Sequence, residues 1–324
     1  MVVISGKGGT GKTSVVAALA SLAGRCVLAD CDVDAPDLHL IFAPQVIRRD
    51  DFVGGSKARI KPGHCTTCGK CEELCRSNAI YFDGPGNGRV PRTFRVDTIA
   101  CEGCGVCVDY CAERAIDFAP AVCGQCFVSA TRCGPMVHAK LGIGAENSGK
   151  LVTQVRRAAQ QVARDQNLEL VLCDGSPGIG CPVIASLTGA SLALFVVEPT
   201  VSGVHDFCRV AQLAESLDVP GLLAVNKADL NEELAVGLEA LAVKHGILLA
   251  GRIPYDREVT RAQIARQTVV EASEGSAATA LRSLWQTVHA RLQKILTTRT
   301  GELVPLSLAT SQTLSSPGGN AYDH

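Results

Sequence analysis

Short apolar runs and helical stretches alternate at the beginning of the chain. Residues 1–4 (MVVI) are apolar and β-branched, a pattern that predicts a buried strand. An apolar stretch with helical character follows at residues 15–22, and residues 26–34 (CVLADCDVD) predict a second strand that ends in acidic side chains. This order of strand, glycine-rich loop, helix and strand predicts the opening of a parallel α/β domain.

The apolar runs stop between about residues 60 and 120, where cysteines recur at regular intervals. Further strand-like runs follow at residues 168–174, 193–197, 221–226 and from 247 onward, with helical sequence between them. We therefore predict an α/β fold, a parallel sheet flanked by helices, that is interrupted by an insertion. The predicted domains are residues 1–59 and 120–296 for the two parts of the sheet domain, 60–119 for the insertion, and 297–324 for a polar, disordered tail.

The last helical stretch, residues 277–296, is amphipathic. Its apolar face comprises Leu281, Trp285, Val288, Leu292 and Leu296. A terminal helix of this kind commonly packs on the sheet, and polar residues follow it here. We therefore do not expect the protein to associate with membranes.

Composition narrows the class of protein further. Apolar residues make up 47% and charged residues 19% of the chain, which predicts a folded protein with a buried core. The net charge is −1 and aromatic residues amount to 4%, so nothing indicates nucleic-acid binding. The N-terminus (MVVISGKGG) does not resemble a signal peptide, and no apolar run is long enough to span a membrane. We therefore expect a cytoplasmic protein whose 16 cysteines stay reduced and can bind metal.

Residues 6–13 (GKGGTGKT) satisfy the phosphate-loop pattern G-x-x-x-x-G-K-[ST] between a predicted strand and a predicted helix. The glycines let backbone N–H groups point at phosphate oxygens, and the helix N-terminus adds partial positive charge. Lys12 is expected to reach the β- and γ-phosphates, and the Thr13 hydroxyl to hold Mg²⁺. The predicted nucleotide-binding residues of this loop are Gly8, Gly9, Thr10, Gly11, Lys12, Thr13 and Ser14.

The loop also contains an earlier lysine, Lys7. KGGTGKT resembles the deviant Walker A loop of the superfamily that includes MinD, ParA and the nitrogenase iron protein. The resemblance implies a P-loop NTPase fold and an ATP-dependent homodimer, in which Lys7 reaches across the interface to the partner's nucleotide. Residues 30–37 (DCDVDAPD), after the second strand, resemble the superfamily's switch I, and within them Asp32 matches the catalytic aspartate. The resemblance therefore implies catalytic roles for Lys7, Lys12 and Asp32.

Two later segments are similar to motifs of the same superfamily. Residues 174–178 (DGSPG) resemble a Walker B motif that leads into switch II, which implies that Asp174 acts on Mg²⁺ through water and that the Gly178 N–H senses the γ-phosphate. Asn226 begins the sequence NKAD, a pattern that reads guanine in GTPases, whereas an asparagine at this point contacts adenine in the MinD superfamily. Because the phosphate loop is of the deviant type, we expect ATP.

The insertion contains a duplicated cysteine pattern. The motif C-x2-C-x2-C-x3-C occurs twice, 36 residues apart (Cys65 to Cys101), and both copies share C-x-x-C-G-x-C-x-x-x-C-x-x-x-A-I. This spacing lets three thiolates hold one cubane while the fourth cysteine ligates the other cluster. The predicted ligands are Cys65, Cys68, Cys71 and Cys111 for one 4Fe–4S cluster, and Cys101, Cys104, Cys107 and Cys75 for the other.

The duplication resembles a bacterial two-cluster ferredoxin, which implies a small α+β fold for the insertion. Zinc is the alternative, because zinc knuckles also use C-x2-C, but two identical four-cysteine runs fit clusters better. The proline that usually follows the fourth cysteine is replaced by Arg76 and Ala112. This departure affects solvent shielding rather than ligation.

Three more cysteines, Cys123, Cys126 and Cys133, follow the duplicated pattern. They could form a further metal or cluster site, a redox pair, or a cluster shared between two protomers. The remaining alternative is that they are ordinary reduced thiols in a connecting segment.

Three functions are compatible with these features. The preferred one is an ATP-gated electron-transfer protein that acts on a redox partner protein. The second is an ATPase that assembles or carries iron–sulfur clusters for an apo-protein, which would draw on the three extra cysteines. The third is a MinD/ParA-like positioning ATPase with a redox-sensing module.

Overall fold

The computed structural model describes residues 1–142 and 148–300. The predicted tail at residues 297–324 therefore lies outside the described residues from residue 301 onward. The strands are β1 (Val2–Ile4), β2 (Val27–Asp30), β3 (Gln45–Ile60), β4 (Ile80–Pro85), β5 (Arg92–Val96), β6 (Ile116–Thr131), β7 (Gly134–Leu141), β8 (Val171–Asp174), β9 (Ala193–Val197), β10 (Gly221–Asn226) and β11 (Leu248–Ile253). The α-helices are α1 (Lys12–Ala23), α2 (Leu38–Phe42), α3 (Lys70–Glu73), α4 (Val106–Asp109), α5 (Ser148–Asp165), α6 (Cys181–Leu187), α7 (Val201–Ser216), α8 (Glu232–Lys244), α9 (Arg257–Ile264), α10 (Val269–Ala272) and α11 (Ser276–Thr300).

Most of these strands belong to one large sheet. Within the described residues its order is β11-β10-β9-β1-β8-β2-β7-β6-β3, and all neighbours from β11 to β7 run parallel. Strands β6 and β3 are added in antiparallel orientation at one edge. The predicted α/β class with a mostly parallel, helix-flanked sheet is thereby confirmed.

Two apolar cores cover the two faces of this sheet. One core packs side chains of α5, α6, α7 and α8 on the sheet, and the other packs α1, α2, α9, α10 and α11 on the opposite face. Because the central strands are covered on both faces, they are continuously buried, which explains why they appear as apolar runs. In α11, Leu281, Trp285, Val288 and Leu292 are buried in the second core, so this helix packs on the sheet as expected.

The edge formed by β3 and β6 was not predicted from the sequence. The two strands pair from Gln45 opposite Ala130 to Ile60 opposite Ile116, whereas β6 pairs with β7 only from Gly124 onward. The outer half of β3 and β6 is therefore a two-stranded ribbon that extends beyond the sheet by about 20 Å. The cysteine-rich segment, residues 61–115, connects the ends of this ribbon.

The cysteine-rich segment has a small α+β structure of its own. It contains the β4–β5 hairpin and the short helices α3 and α4. Its apolar centre consists of Ala58, Ile60, Ile80, Phe94 and Ile116, and six of the eight motif cysteines pack against it. We retain residues 60–119 as the proposed extent of the insertion.

No helix in the described part of the chain is both long and apolar enough to cross a bilayer.

Candidate nucleotide site and cysteine module

The phosphate loop lies where β1 ends and α1 begins. Gly9 and Gly11 adopt left-handed backbone angles, with φ of 79° and 83°. A Cβ atom at Gly11 would collide with the side-chain amide of Asn226, so only glycine fits this position. The loop therefore has the tight backbone that a phosphate cradle requires.

Lys12 lies in an acidic environment. It is buried and contacts Asp174 directly, while its Nζ atom lies 3.6 Å from a carboxylate oxygen of Asp32. The Thr13 hydroxyl donates to the other oxygen of Asp174 at 2.7 Å. Burial lowers the pKa of Lys12, but the nearby Asp174, Asp32 and Asp30 outweigh this effect and raise it. Asp174 is thus the direct ion-pair partner of Lys12 in this structure.

The carboxylates of this site repel one another. Burial, together with the neighbouring Asp174, raises the pKa of Asp30 well above its usual value. Burial likewise raises the pKa of Asp32, while Lys12 opposes the shift. Asp30 also accepts hydrogen bonds from the backbone N–H groups of Asp32 and Leu38, at 3.2 and 3.3 Å. The Thr13 hydroxyl and the Asp174 carboxylate that it contacts are oxygen donors of the kind that Mg²⁺ prefers.

Switch II is bonded to the strands beside it. The Gly178 N–H donates to the Ser5 carbonyl at 3.1 Å, and the Ser176 hydroxyl donates to the Cys31 carbonyl at 2.7 Å. For Gly178 to sense the γ-phosphate, its N–H must leave the Ser5 carbonyl and donate to a phosphate oxygen instead. The second bond joins switch II to the acidic segment of switch I.

Lys7 is directed away from its own phosphate loop. Its ammonium donates to the hydroxyls of Thr200 and Ser202 at 3.2 and 3.0 Å and lies 3.8 Å from Glu198. Glu198 also contacts Lys227. The predicted reach of Lys7 to a partner's nucleotide remains a prediction.

Asn226 braces the loop in this structure. Its amide donates to the Thr10 carbonyl at 2.7 Å. It also lines a cavity of about 230 Å³ beside the loop, with Pro254, Tyr255 and Gln263 on the other walls, which has the position expected for a base pocket. Asn226 can therefore both hold the loop and face a base.

Gln263 is a site residue that the sequence did not reveal. Its amide donates to the Ser14 hydroxyl at 2.8 Å, which ties α9 to the phosphate loop. No motif marks it, because it lies 249 residues away in the chain. Asp229 accepts a hydrogen bond from the Tyr255 backbone N–H at 2.6 Å and so supports one wall of this cavity.

The two cysteine motifs have matching backbone geometry at the 36-residue offset. The glycines before α3 and α4, Gly69 and Gly105, have φ of 79° and 80°. The fourth cysteine of each motif accepts a backbone N–H bond on its sulfur at 3.3 Å, from Ala79 to Cys75 and from Ala115 to Cys111. The duplication seen in the sequence is thus a duplication of structure.

The fourth cysteine of the first motif lies near the second motif. Burial, followed by the nearby thiols Cys101, Cys104 and Cys75, raises the pKa of Cys107 to about 11, so Cys75 of the first motif lies in the neighbourhood of the second motif. In residues 1–142 and 148–300, no three Cys, His, Asp or Glu side chains converge closely enough to hold a single metal ion. A cubane is wider than one ion, so its thiolates stand further apart. Eight thiols in two equivalent loops are a donor set whose chemistry suits two clusters, and their ligation stays a prediction.

The extra cysteines do not form one site. Cys123 and Cys126 on β6 are buried in the core on one face of the sheet, whereas Cys133 is buried in the core on the other face. The sheet separates them, so the suggested third metal or cluster site at Cys123, Cys126 and Cys133 was wrong. The three thiols are core side chains.

The fold and the phosphate loop together define a P-loop nucleotide-binding protein. Residues 1–269 match the CobQ/CobB/MinD/ParA nucleotide binding domain. The chain belongs to this family, which confirms the P-loop part of the expected resemblance.

Its relatives include proteins without an assigned role. The chain is 30% identical to uncharacterized protein MJ0578 of Methanocaldococcus jannaschii over 287 residues, covering 88% of this chain and 94% of the relative. Among solved structures, MinD of Pyrococcus horikoshii complexed with Mg-ADP is similar with a TM-score of 0.52, 17% identity, and coverage of 91% of this chain and 97% of that chain. MinD in the MinC:MinD complex of Aquifex aeolicus is similar with a TM-score of 0.52, 19% identity, and coverage of 94% and 97%. At these identities the likeness to solved structures shows the fold.

Proposed function

We propose that the protein is an ATP-hydrolysing iron–sulfur protein, in which the nucleotide site controls electron transfer from two 4Fe–4S clusters to a partner protein. The observation that carries this proposal is the duplicated geometry of the cysteine loops, with equal glycine angles and equal N–H to sulfur bonds at Cys75 and Cys111. Two equivalent loops that exchange their fourth cysteine are the arrangement that two cubanes need.

In the nucleotide half, Lys12 would exchange Asp174 for the β- and γ-phosphates. Thr13, Asp174 and Asp32 would then be free to hold Mg²⁺ and its water, and Asp32 would orient the attacking water. The similar MinD of Pyrococcus horikoshii was solved with Mg-ADP, which supports a magnesium nucleotide here. Lys7 would leave Thr200 and Ser202 when two ATP-bound protomers meet, in line with the proposed homodimer.

In the cysteine module, bound clusters would supply one-electron transfer. The chain's own residues set their surroundings. Ala79 and Ala115 donate N–H groups to the fourth sulfurs, and Ile80 and Phe94 exclude water from the module's centre. Cys68 and Cys104 are exposed, so their side of the module is where a redox partner would dock.

A cluster-carrier role has less support. That role would need Cys123, Cys126 and Cys133 to bind a transferable cluster together. Cys123 and Cys126 are buried on one face of the sheet, whereas Cys133 is buried on the other. The electron-transfer role needs only the eight cysteines of the module.

The test begins with iron counting after anaerobic purification, together with electron paramagnetic resonance of the reduced protein. We expect about eight irons per chain, as two four-iron clusters require. Cys75→Ser should impair the cluster of Cys101, Cys104 and Cys107, whereas the matched change Cys208→Ser on α7 should leave the iron content unchanged. Iron-free protein, or zinc in its place, would overturn the proposal.

A second measurement addresses the coupling. The cluster potentials are titrated with and without Mg-ATP, in the native protein and in Lys12→Met. The proposal expects ATP to shift the potentials of the native protein only. Equal potentials in all four samples would show that the nucleotide does not control the clusters, which would contradict the proposed coupling.

A further inference from the structure

A cavity of about 570 Å³ opens beside helix α2, outside the nucleotide site described above. Its walls come from α2, from the first residues of β3 and from the segment that follows α9, and its floor comes from β6 and β7. The volume falls within the range of about 300–1,000 Å³ that is typical of small-molecule sites. None of the lining residues that the structure describes has a role in the nucleotide site or in the cysteine module.

The floor of this cavity is aromatic and lies on the α2 side of the sheet. Met136 on β7 is buried in the core that contains α2, and because side chains alternate along a strand, His138 lies on the same face. The rings of Phe127 and His138 stack, with their centroids 5.0 Å apart and an angle of 20° between their planes. Burial lowers the pKa of His138 to about 4, so its ring is uncharged at neutral pH. Both rings are only half-buried, so the aromatic floor remains available to a ligand.

Two exposed apolar side chains form the rim of the cavity. Leu40 on α2 is 56% exposed and Val46 at the beginning of β3 is 51% exposed, and both line the cavity. An apolar molecule lying between this rim and the aromatic floor would remove the apolar surface of all four side chains from water. Removal of apolar surface from water is favourable, so the shape and the lining of the cavity favour an apolar ligand body.

Two cations line the same cavity without a counter-ion. Lys140 on β7 and Arg266 after α9 are exposed, and within residues 1–142 and 148–300 neither side chain pairs with a carboxylate. None of the described lining residues is acidic. Arg266 has a φ of 56°, in the left-handed region where glycine usually ends a helix, so the chain carries an arginine at a position whose backbone favours glycine. The cavity therefore combines apolar surface with net positive charge.

We propose that this cavity binds a small organic anion, a molecule with an aromatic or aliphatic body and one carboxylate or phosphate group. The body lies on the aromatic floor beneath the apolar rim, and the anionic group meets Lys140 and Arg266. A guanidinium can donate two parallel hydrogen bonds to a carboxylate or a phosphate. A neutral molecule would leave both cations unpaired, and an inorganic anion would leave the apolar surface uncovered, so the ligand needs both parts. Binding at this site requires neither ATP nor clusters.

The test uses anilinonaphthalene sulfonate, a fluorescent dye with an aromatic body and one anionic group, and the full-length protein without nucleotide. Fluorescence titration should show one tight site per chain. Phenylnaphthylamine, the same molecule without the sulfonate, should bind at least about tenfold more weakly, because it cannot pair with the two cations. Inorganic sulfate at the concentration of the dye should not displace it. Equal affinity for the charged and the neutral dye would overturn the proposal.

Variants of the two cations test where the anionic group binds. Arg266→Gln and, as a second variant, Lys140→Gln should each weaken binding of the dye at least about tenfold, whereas Lys140→Arg should keep the native affinity. Arg257→Gln is the matched control, because Arg257 is an exposed arginine on α9 that does not line the cavity. An affinity loss in Arg257→Gln as large as that in Arg266→Gln, or native affinity in both glutamine variants of the lining cations, would contradict the site.

A photoreactive azide of the same dye tests where the body lies. After illumination, peptide mapping should find the label on residues 36–46 and 127–140. Benzoate and phenyl phosphate, added as competitors, distinguish a carboxylate from a phosphate ester, because the better match displaces the dye at the lower concentration. Label confined to other peptides, or displacement by neither competitor, would refute the proposed site.

Discussion

The two lysines of the phosphate loop should contribute very differently to the stability of the nucleotide-free protein. Lys12 is buried and pairs with Asp174, which is fully buried, and Asp32 lies within 3.6 Å. Lys12→Met leaves these carboxylates without their cation. Removing one partner of a buried ion pair costs about 3–5 kcal/mol, which corresponds to a melting temperature lower by roughly 4–7 °C for a chain of this size.

Lys7→Met is the matched comparison in the same loop. The Lys7 side chain is 30% exposed, it bonds two hydroxyls, and its nearest carboxylate, Glu198, is 3.8 Å away and already contacts Lys227. A half-exposed pair of this kind contributes at most about 1 kcal/mol. We therefore expect Lys7→Met to melt within about 2 °C of the native protein.

The assay is thermal and urea unfolding of both variants in EDTA without nucleotide, so that any effect on ATP binding is excluded. We expect the native protein to be the most stable, Lys7→Met to be slightly less stable, and Lys12→Met to be much less stable. If both variants lost equal stability, or if Lys12→Met melted with the native protein, the reasoning from burial would be refuted. Such a result would mean that hydration or protonation of Asp174 and Asp32 compensates for the loss of the lysine.

Two further predictions concern the same site. Gly11→Ala forces alanine into a left-handed backbone conformation, which costs about 1–2 kcal/mol, and its Cβ displaces Asn226 from the hydrogen bond to Thr10. The affinity for Mg-ATP, measured by calorimetry, should therefore fall at least about tenfold. In Gly8→Ala the added Cβ meets nothing within 4 Å, so its affinity should fall less, and equal losses would contradict the clash. Burial raises the pKa of Asp32 in the folded state, so its contribution to stability is present below the ordinary carboxyl value of about 3.9 and is lost as pH rises through the raised value. The unfolding free energy of the native protein, measured in urea from pH 4 upward, should therefore decline more steeply than that of Asp32→Asn, and parallel curves would speak against the shift.

The parts of the fold that the sequence predicted are those with a local signal. Strands β9 and β10 are buried on both faces, so they appear as continuous apolar runs, and the structure places them at the predicted residues. The phosphate loop and the cysteine motifs were found because their chemistry fixes residue type and spacing. Each of these signals is complete within a few residues of the chain.

The missing parts depend on contacts between distant residues. The first seven residues of β3, from Gln45 to Asp51, are exposed and include two arginines and two aspartates, so no apolar pattern marks them. Its partner β6 begins 56 residues after β3 ends (Ile60 to Ile116), and only the folded chain brings them together. The direction of Lys7 and the bond from Gln263 to Ser14 likewise follow from tertiary packing that the sequence does not display.

The connection from the nucleotide site to the cysteine module begins with helix α2, which is held at both ends. Helix α2 begins at Leu38, whose N–H bonds Asp30, and ends two residues before β3 leads out to the module. At its far end Arg132, itself paired with Glu271, donates to the Ile41 carbonyl at 3.1 Å and stacks on Phe42 with 4.8 Å to the ring centroid. Nucleotide binding that redirects the Asp30 carboxylate would release the first end while Arg132 still holds the second. A five-residue helix fixed at one end can respond only by tilting. The tilt displaces switch I relative to the base of the ribbon. We therefore expect α2 to transmit the effect of ATP binding to the cysteine module.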